Sequence, residues 1–186
     1  MLWTPDPDHH GPLARFAEWV GEHRDVEVAD YAALHEWSVT DLDGFWSALV
    51  EYLDVRFHTP PTAVLGSREM PGAQWFPGAT LNYAEEALRP GADADTAVIY
   101  AREDGVERTV TRGELRELVG RARAGLVAMG VGRGDRVVAL APNSVETLVT
   151  FLATASLGAI WSSCSPDFGA RAVHDRFAQI EPAVLL

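Results

Sequence analysis

The segment with the clearest potential for chemistry runs from residue 162 to residue 169 and reads SSCSPDFG. It follows a predicted parallel strand and precedes a predicted helix, and in open α/β sheets ligands collect at the carboxyl ends of such strands. Its hydroxyl groups, the carboxylate of Asp167 and the unobstructed backbone of Gly169 are groups that a polar ligand uses. An ordinary strand-to-helix loop, in which Ser and Asp cap the helix, explains the same residues. Both interpretations stay open from the sequence.

Three other patterns suggest chemistry that their context disfavours. The glycines of residues 130–134 suggest a dinucleotide site, but they follow a helix and precede a strand, whereas the dinucleotide fingerprint follows a strand and opens a helix. Asp8, His9 and His10 offer half a metal site, yet no third ligand is visible and a solvated loop is the commoner explanation. Cys164 is better explained as a small buried residue than as a reactive thiol. We therefore predict no catalytic residue and no metal ligand.

The composition excludes several classes of function. All 15 basic residues are arginine, so a complete P-loop, a Schiff-base site and any lysine-dependent phosphate clamp are excluded within this sequence. The net charge of −12 argues against a nucleic-acid or anionic-membrane partner, because phosphate groups need a basic surface. The single cysteine permits no internal disulfide and favours a cytoplasmic location. No apolar run approaches the roughly 18 residues of a membrane span.

Charge divides the chain near residue 95. Residues 1–95 hold 17 acidic residues and 5 arginines, whereas residues 96–186 hold 10 of each, so the whole net charge lies in the first half. A stretch rich in Pro, Gly and Asp, residues 89–95, lies where the charge changes. We place a domain boundary there.

Before this boundary the spacing of apolar residues predicts four helices and one turn-rich segment. Thr40 and Asp43 form a capping pair in front of the strongest helix, and Tyr31 and Leu34 define the apolar face of the helix before it. Thr80 precedes the shortest helix. The helices are expected at residues 12–20, 30–37, 41–53 and 81–88, and the turn-rich segment at 59–78.

Beyond the boundary, strands and helices alternate. Thr111 and Glu114 form a capping box, Gly130 ends the helix that this box opens, and Asn143 with Glu146 is expected to cap the next helix. An Asp-Gly turn joins the first two strands as a hairpin. Strands are expected at residues 97–101, 106–110, 136–141, 159–163 and 183–186, and helices at 111–129, 143–157 and 170–179.

This order predicts an α/β fold, in which a helical N-terminal segment precedes βα units that build a mostly parallel sheet. A strand buried in a parallel sheet needs neighbours on both sides, and the last predicted strand reaches the end of the sequence. We therefore expect these residues to be the opening portion of a larger protein.

Two segments resemble a known family. Residues 75–88, WFPGATLNYAEEAL, and residues 158–182, GAIWSSCSPDFGARAVHDRFAQIEP, are similar to the acetoacetyl-CoA synthetase branch of the adenylate-forming acyl-CoA synthetases. Residues 109–160 resemble the opening βα pattern of that superfamily, and residues 31–55 resemble the N-terminal extension of acetyl- and acetoacetyl-CoA synthetases. Acetyl-CoA synthetases typically carry a Phe-Gly-Gly-Phe-type segment where this chain has residues 165–168.

The resemblance implies a domain division and an activity. Residues 1–95 correspond to the N-terminal extension and residues 96–186 to the start of the AMP-binding domain, which is incomplete. The activity implied is an acid–thiol ligase that uses ATP, Mg²⁺ and CoA to convert acetoacetate to acetoacetyl-CoA through an acyl-adenylate, with no nucleic-acid or membrane partner. The family's phosphate-binding loop and catalytic lysine are absent here, so this sequence alone is expected to be inactive.

The resemblance also implies a site and leaves alternatives. It places the loop of Ser165, Pro166, Asp167, Phe168 and Gly169 near the channel for CoA. Arg171 and Arg176, on the helix that follows, fit either a contact with the CoA phosphates or a solvated helix face. The alternatives to an acetoacetate ligase are an acetyl- or propionyl-type short-chain acyl-CoA synthetase and a non-catalytic, standalone binding module.

Overall fold

The computed structural model describes residues 11–186, and the chain divides into two compact units. The first unit ends at Leu81 and the second begins at Asn82. Asp8, His9 and His10 lie outside the described residues. The predicted boundary at residues 89–95 separates domains, which a division into compact units does not test, so it stays a prediction.

The first unit is built on three helices whose aromatic side chains share one core. The ring of Phe16 lies 6.4 Å from that of Trp19, 5.9 Å from that of Phe45 and 5.1 Å from that of Tyr52. Tyr31, expected on the apolar face of its helix, is exposed instead. The helices, all predicted from the sequence, span Pro12–His23 (α1), Tyr31–Thr40 (α2) and Leu42–Tyr52 (α3).

Asp41 caps α3, so the predicted capping pair of Thr40 and Asp43 is wrong. The Gly44 N–H donates to Asp41 Oδ1 at 3.0 Å, and Trp37 Nε1 donates to Asp41 Oδ2 at 3.2 Å. Thr40 is instead the last residue of α2. A cap is decided by which side chain reaches the free N–H groups of the first turn, and one carboxylate here also satisfies an indole.

The segment of residues 59–78 contains a short hairpin that the sequence did not predict. Strand β1, Leu65–Ser67, pairs antiparallel with β2, Gln74–Trp75. Trp75 packs edge-on against Trp46 of α3, with ring centroids 5.4 Å apart. The expectation of a purely turn-rich segment was wrong because Gly66 lies within β1 without interrupting it, and the prolines lie outside both strands.

The second unit opens with a short helix, a hairpin and a long helix. The capping box predicted for the long helix is confirmed, since the Glu114 N–H donates to Thr111 Oγ1 at 3.2 Å and the Thr111 N–H donates to Glu114 Oε2 at 2.8 Å. Gly130 has φ +85° and follows this helix, as predicted. Asn82, not Thr80, caps the short helix. The elements are Tyr83–Leu88 (α4), Thr96–Ala101 (β3), Glu107–Thr111 (β4) and Arg112–Ala128 (α5).

The remaining elements are βα units around a three-stranded parallel sheet of order β6-β5-β7. Ser144, not the predicted Asn143, caps the first of their helices, because the Thr147 N–H donates to Ser144 Oγ at 3.3 Å. The elements are Arg136–Leu140 (β5), Val145–Ser156 (α6), Ile160–Cys164 (β6), Ala170–Ala178 (α7) and Val184–Leu185 (β7).

The two helices of these units cover opposite faces of the sheet. Val137 of β5 belongs to the apolar cluster that includes residues of α5 and α6, whereas its neighbour Val138 packs with Val173 and Phe177 of α7. Successive strand residues point to opposite faces of the sheet, so α6 covers one face and α7 covers the other. From β5 to β6 the chain moves across the sheet in one direction, and from β6 to β7 it moves in the other. Two right-handed crossovers in opposite directions place their helices on opposite faces.

The observed elements confirm the α/β fold class. Helices come first, an antiparallel hairpin follows, and parallel βα units complete the described chain. Across residues 11–186, no helix combines the length and apolar character needed to cross a membrane.

Candidate functional site

Two loops leave the carboxyl ends of adjacent strands and turn to opposite faces of the sheet. Residues 141–144 lead from β5 to α6, and residues 165–169 lead from β6 to α7. The strand ends adjoin, since Leu140 lies opposite Cys164 and the Ala141 N–H donates to the Cys164 carbonyl at 3.1 Å. Open α/β sheets bind ligands outside the carboxyl ends of their strands. The predicted loop of residues 165–169 therefore lies at the edge of the sheet where a ligand is expected.

Hydrogen bonds within the predicted loop fix its shape. Ser165 Oγ donates to Asp167 Oδ2 at 2.8 Å, and the Phe168 N–H donates to the Ser165 carbonyl at 3.1 Å. Gly169 is the N-cap residue of α7, and no side chain caps that helix, so the capping role considered for Ser and Asp is not observed. Pro166 and the three residues after it are exposed. The loop thus presents a carboxylate and an aromatic ring to solvent in a defined turn.

Arginine contacts distinguish the two basic residues of α7. The guanidinium of Arg176 lies over the ring of Phe168, with its central carbon 4.3 Å from the ring centroid. The side chain of Arg171 is 97% exposed and approaches only Asp175, at 4.0 Å. The structure therefore supports the solvated reading for Arg171. The contact between Arg176 and Phe168 has no local signal in the sequence, because it depends on the path of α7.

Cys164 is buried beneath the loop. Its side chain packs with Val138, Val173 and Phe177 between the sheet and α7. A thiol enclosed by apolar side chains is an inert core residue. This confirms the interpretation of Cys164 as a small buried residue.

The neighbouring loop, which leads from β5 to α6, carries an exposed amide. Asn143 is exposed and its side chain has no hydrogen-bond partner among the described residues, because Ser144 took the capping role. Together with Pro142 and the tip of the β3–β4 hairpin, Asn143 lines an open cavity of about 730 Å³. The sequence did not mark Asn143 as a candidate, because its side chain was expected to cap the helix.

Glu146, in the first turn of α6, has a lowered pKa. Its carboxylate accepts from its own backbone N–H, which lowers the pKa of Glu146 below the ordinary value of 4.5, while burial opposes this. A hydrogen bond with Ser144 and the ion pair with Arg108 of β4, at 3.1 Å, lower the pKa further. The ionised carboxylate thus ties the β3–β4 hairpin to the start of α6.

Replacing Glu146 with Gln is expected to lower stability in a pH-dependent way. A carboxylate whose pKa is lowered in the folded state stabilises the fold above its unfolded pKa, and this contribution disappears as the pH falls through the folded pKa. We expect a loss of about 0.5 kcal/mol at neutral pH, as for an exposed charge at a helix N-terminus. Urea denaturation of both proteins should show this difference shrinking below pH 4.5. Glu117→Gln, on the exposed side of α5, is the control, and a difference for Glu146→Gln that persists in acid would contradict the prediction.

The described residues contain no candidate metal centre. No group of three or more His, Cys, Asp or Glu side chains within residues 11–186 is arranged to hold an ion. The glycines of residues 130–134 form the turn between α5 and β5, where Gly130 and Gly134 have φ of +85° and +84°. This confirms a helix stop and a connecting turn rather than a dinucleotide fingerprint.

Known proteins are similar to this chain along its whole length. The family described as AMP-binding enzyme matches residues 85–186, and the family described as Acetyl-coenzyme A synthetase N-terminus matches residues 31–87. Acetoacetyl-coenzyme A synthetase of Rhizobium meliloti (strain 1021) is 46% identical across 100% of this chain and 29% of its own length. Acetoacetyl-CoA synthetase of Gallus gallus is 38% identical across 100% of this chain and 28% of its own.

A solved structure agrees with these matches. Acetoacetyl-CoA synthetase from Streptomyces lividans is 51% identical, with a TM-score of 0.92 over 99% of this chain and 29% of that one. The chain spans less than a third of the length of these relatives. The AMP-binding match covers more than half of the chain, and the predicted resemblance is confirmed. The chain belongs to the AMP-binding enzyme family, and within it the chain resembles the acetoacetyl-CoA synthetases.

Proposed function

We propose that these residues are the N-terminal portion of an acetoacetate–CoA ligase. In such an enzyme the carboxylate of acetoacetate attacks the α-phosphate of ATP, giving an acyl-adenylate and diphosphate, and the thiolate of CoA then displaces AMP. The observation that carries the proposal is the identity to acetoacetyl-CoA synthetases over the whole chain, in sequence and in structure. The proposal includes the predicted domains, with residues 1–95 as the N-terminal extension and residues 96–186 as the start of the AMP-binding domain.

The loop of residues 165–169 is proposed to border the channel for CoA. It lies at the carboxyl end of β6, beside a strand whose connection turns to the other face of the sheet. Pro166 and Phe168 offer apolar surface to the pantetheine arm, and the Ser165–Asp167 turn offers polar groups to its amides. The loop carries no cation, so the phosphates of CoA and ATP need other residues.

Those phosphate-binding groups are proposed to lie outside these 186 residues. Charge that develops on phosphoryl oxygens is stabilised by cations, a metal ion or oriented backbone N–H groups. The chain has no lysine, and its described residues hold no carboxylate cluster that fits Mg²⁺. We therefore assign ATP and Mg²⁺ no site here, and the residues described contribute structure and one border of the thiol channel.

The proposal extends to location and partners. We propose a cytoplasmic protein whose partners are small molecules, namely acetoacetate, ATP and CoA. The net charge of −12 supports the absence of a nucleic-acid partner, because the phosphate backbone is bound by basic surfaces.

The test is to express the complete reading frame that encodes these residues. Acetoacetate should support exchange of diphosphate with ATP, which reports the first step, and addition of CoA should yield acetoacetyl-CoA. The 186-residue chain alone should do neither, since it lacks a lysine to neutralise the phosphates. Absence of exchange with acetoacetate in the complete protein would overturn the proposal.

The same measurements separate the alternatives. Exchange with acetate or propionate, but not with acetoacetate, would support a short-chain acyl-CoA synthetase of another specificity. A reading frame that ends at Leu186, with no exchange on any acid, would support a standalone binding module.

A further inference from the structure

The ring of Phe168 is in contact with a cationic side chain. Phe168 is 39% exposed, and the hydrogen bonds of its loop end at its backbone N–H, so they leave the side-chain torsions unrestrained. The guanidinium of Arg176 lies 4.3 Å from the ring centroid, well inside the distance of about 6 Å at which a cation and a ring attract. No other ring of the described chain contacts Phe168. The cation–π contact with Arg176 is therefore a specific interaction that favours one orientation of the ring.

Arg176 is itself held in place by the helix that carries it. The side chains of Val173 and Phe177, which flank Arg176 along α7, are buried against Val138 and Cys164 of the sheet. Helical side chains lean toward the N-terminus of their helix, and Phe168 lies at that end of α7. Among the described residues no carboxylate lies within ion-pair distance of Arg176. The guanidinium is thus free to remain on the ring.

Part of Phe168 remains open to a ligand. The guanidinium of Arg176 lies over the ring, and the residue is still 39% exposed. A ring that is already fixed loses little rotational freedom when a ligand packs on it, and such preorganisation strengthens binding. A ring without the contact would have to be ordered by the ligand itself.

We propose that Arg176 is a positioning residue for the thiol substrate, because it holds Phe168 in the orientation that packs against the pantetheine arm of CoA. This inference rests on the proposed function, in which residues 165–169 border the CoA channel. Arg176 acts through Phe168 and touches no substrate. Its role is distinct from attraction of the CoA phosphates by positive charge, which would need no contact with a ring.

Three variants of the complete protein test the role of Arg176. Arg176→Met keeps the aliphatic length and removes the cation, Arg176→Lys keeps a cation, and Arg171→Met removes the same charge from the same helix without touching Phe168. We expect Arg176→Met to raise KM for CoA about two- to fivefold, as loss of an exposed cation–π contact implies. Arg176→Lys should recover part of that loss, and Arg171→Met should leave KM for CoA unchanged. Equal effects of Arg171→Met and Arg176→Met would overturn the proposal in favour of charge attraction.

Fluorination of the ring gives a second, independent measurement. Fluorine withdraws electron density from the ring face and weakens its attraction for a cation. With mono-, di- and trifluorophenylalanine inserted at position 168, KM for CoA should rise stepwise when Arg176 is present and stay constant in Arg176→Met. A series that rises equally in both backgrounds would overturn the proposal.

The outcome can be separated from failure of the proposed function. The ¹⁹F resonance of 4-fluorophenylalanine at position 168 needs no substrate, and it should move in Arg176→Met but not in Arg171→Met. If exchange of diphosphate with ATP is absent for every acid, the proposed ligase falls whatever the resonance does. If exchange is present and KM for CoA is the same in Arg176→Met as in the parent protein, the proposed ligase is retained and the positioning role is overturned.

Discussion

Phe177→Ala is expected to lower the free energy of unfolding by about 3 to 5 kcal/mol. Phe177 is buried between α7 and the sheet, where its neighbours are Val138, Cys164 and Val173. This cluster is small, so few side chains can move into the space that the ring leaves. The lost transfer energy and the cavity therefore both count against the folded state.

Phe168→Ala is the matched control, because it removes the same atoms nine residues earlier from an exposed position. We expect it to cost less than about 1 kcal/mol, as for other exposed truncations. Urea denaturation followed by circular dichroism measures both losses, and hydrogen exchange of α7 shows whether that helix opens first. Similar losses for the two variants would contradict the burial of Phe177.

The pair of variants also separates stability from function. Phe177 determines whether α7 stays on the sheet, and α7 carries Arg176 to its contact with Phe168 of the preceding loop. Phe168 contributes little to that docking, because it lies in an exposed loop. Phe177→Ala should therefore impair everything that depends on the fold. Under the proposed function, Phe168→Ala should instead raise KM for CoA in a protein of nearly normal stability.

Helices and strands were predictable where the pattern was local and unambiguous. The capping box of Thr111 and Glu114 was found because its two hydrogen bonds join residues three apart, so the sequence contains the whole interaction. The caps of α3 and α6 were assigned one residue too early. In both places two cap-forming residues are adjacent, as in Asn143 and Ser144, and only the backbone decides which side chain meets the free N–H groups.

The faces of the sheet were not predictable. Val137 and Val138 are consecutive in an apolar strand, and both are fully buried, so their sequence cannot say which helix covers which residue. The strand order decides it, because β6 and β7 flank β5 on opposite sides.

The candidate site was predictable in location but not in detail. The position of residues 165–169 between a strand and a helix was enough to predict a loop at a strand end. The contact between Arg176 and Phe168 was not, because it joins residues eight apart across the start of a helix. Neither residue has a local partner that would have marked it.

Asn82→Asp is expected to destabilise the second unit by about 2 to 3 kcal/mol, although it changes only one group of the side chain. Asn82 Oδ1 accepts from the N–H groups of Ala84 at 3.0 Å and Glu85 at 3.2 Å, and so caps α4. Its Nδ2 donates to the carbonyls of Ala155 at 3.0 Å and Ser156 at 3.4 Å, near the end of α6. The aspartate retains the cap but places a second oxygen, with negative charge, against those carbonyls at the negative end of the helix dipole.

Two further variants show which half of the Asn82 side chain matters. Asn82→Ser keeps a cap and loses the donor without adding charge, so it should cost less than Asn82→Asp. Asn143→Asp makes the same chemical change at an exposed amide with no partner among the described residues, and it should alter stability by less than about 0.5 kcal/mol. Urea denaturation of the three variants measures the order, and an Asn82→Asp protein as stable as the parent would show that α4 and α6 are not joined through this amide. Asn82 lies within the WFPGATLNYAEEAL segment. The expected order of stability losses would mean that Asn82 has a structural role in that segment, which is to join α4 to α6.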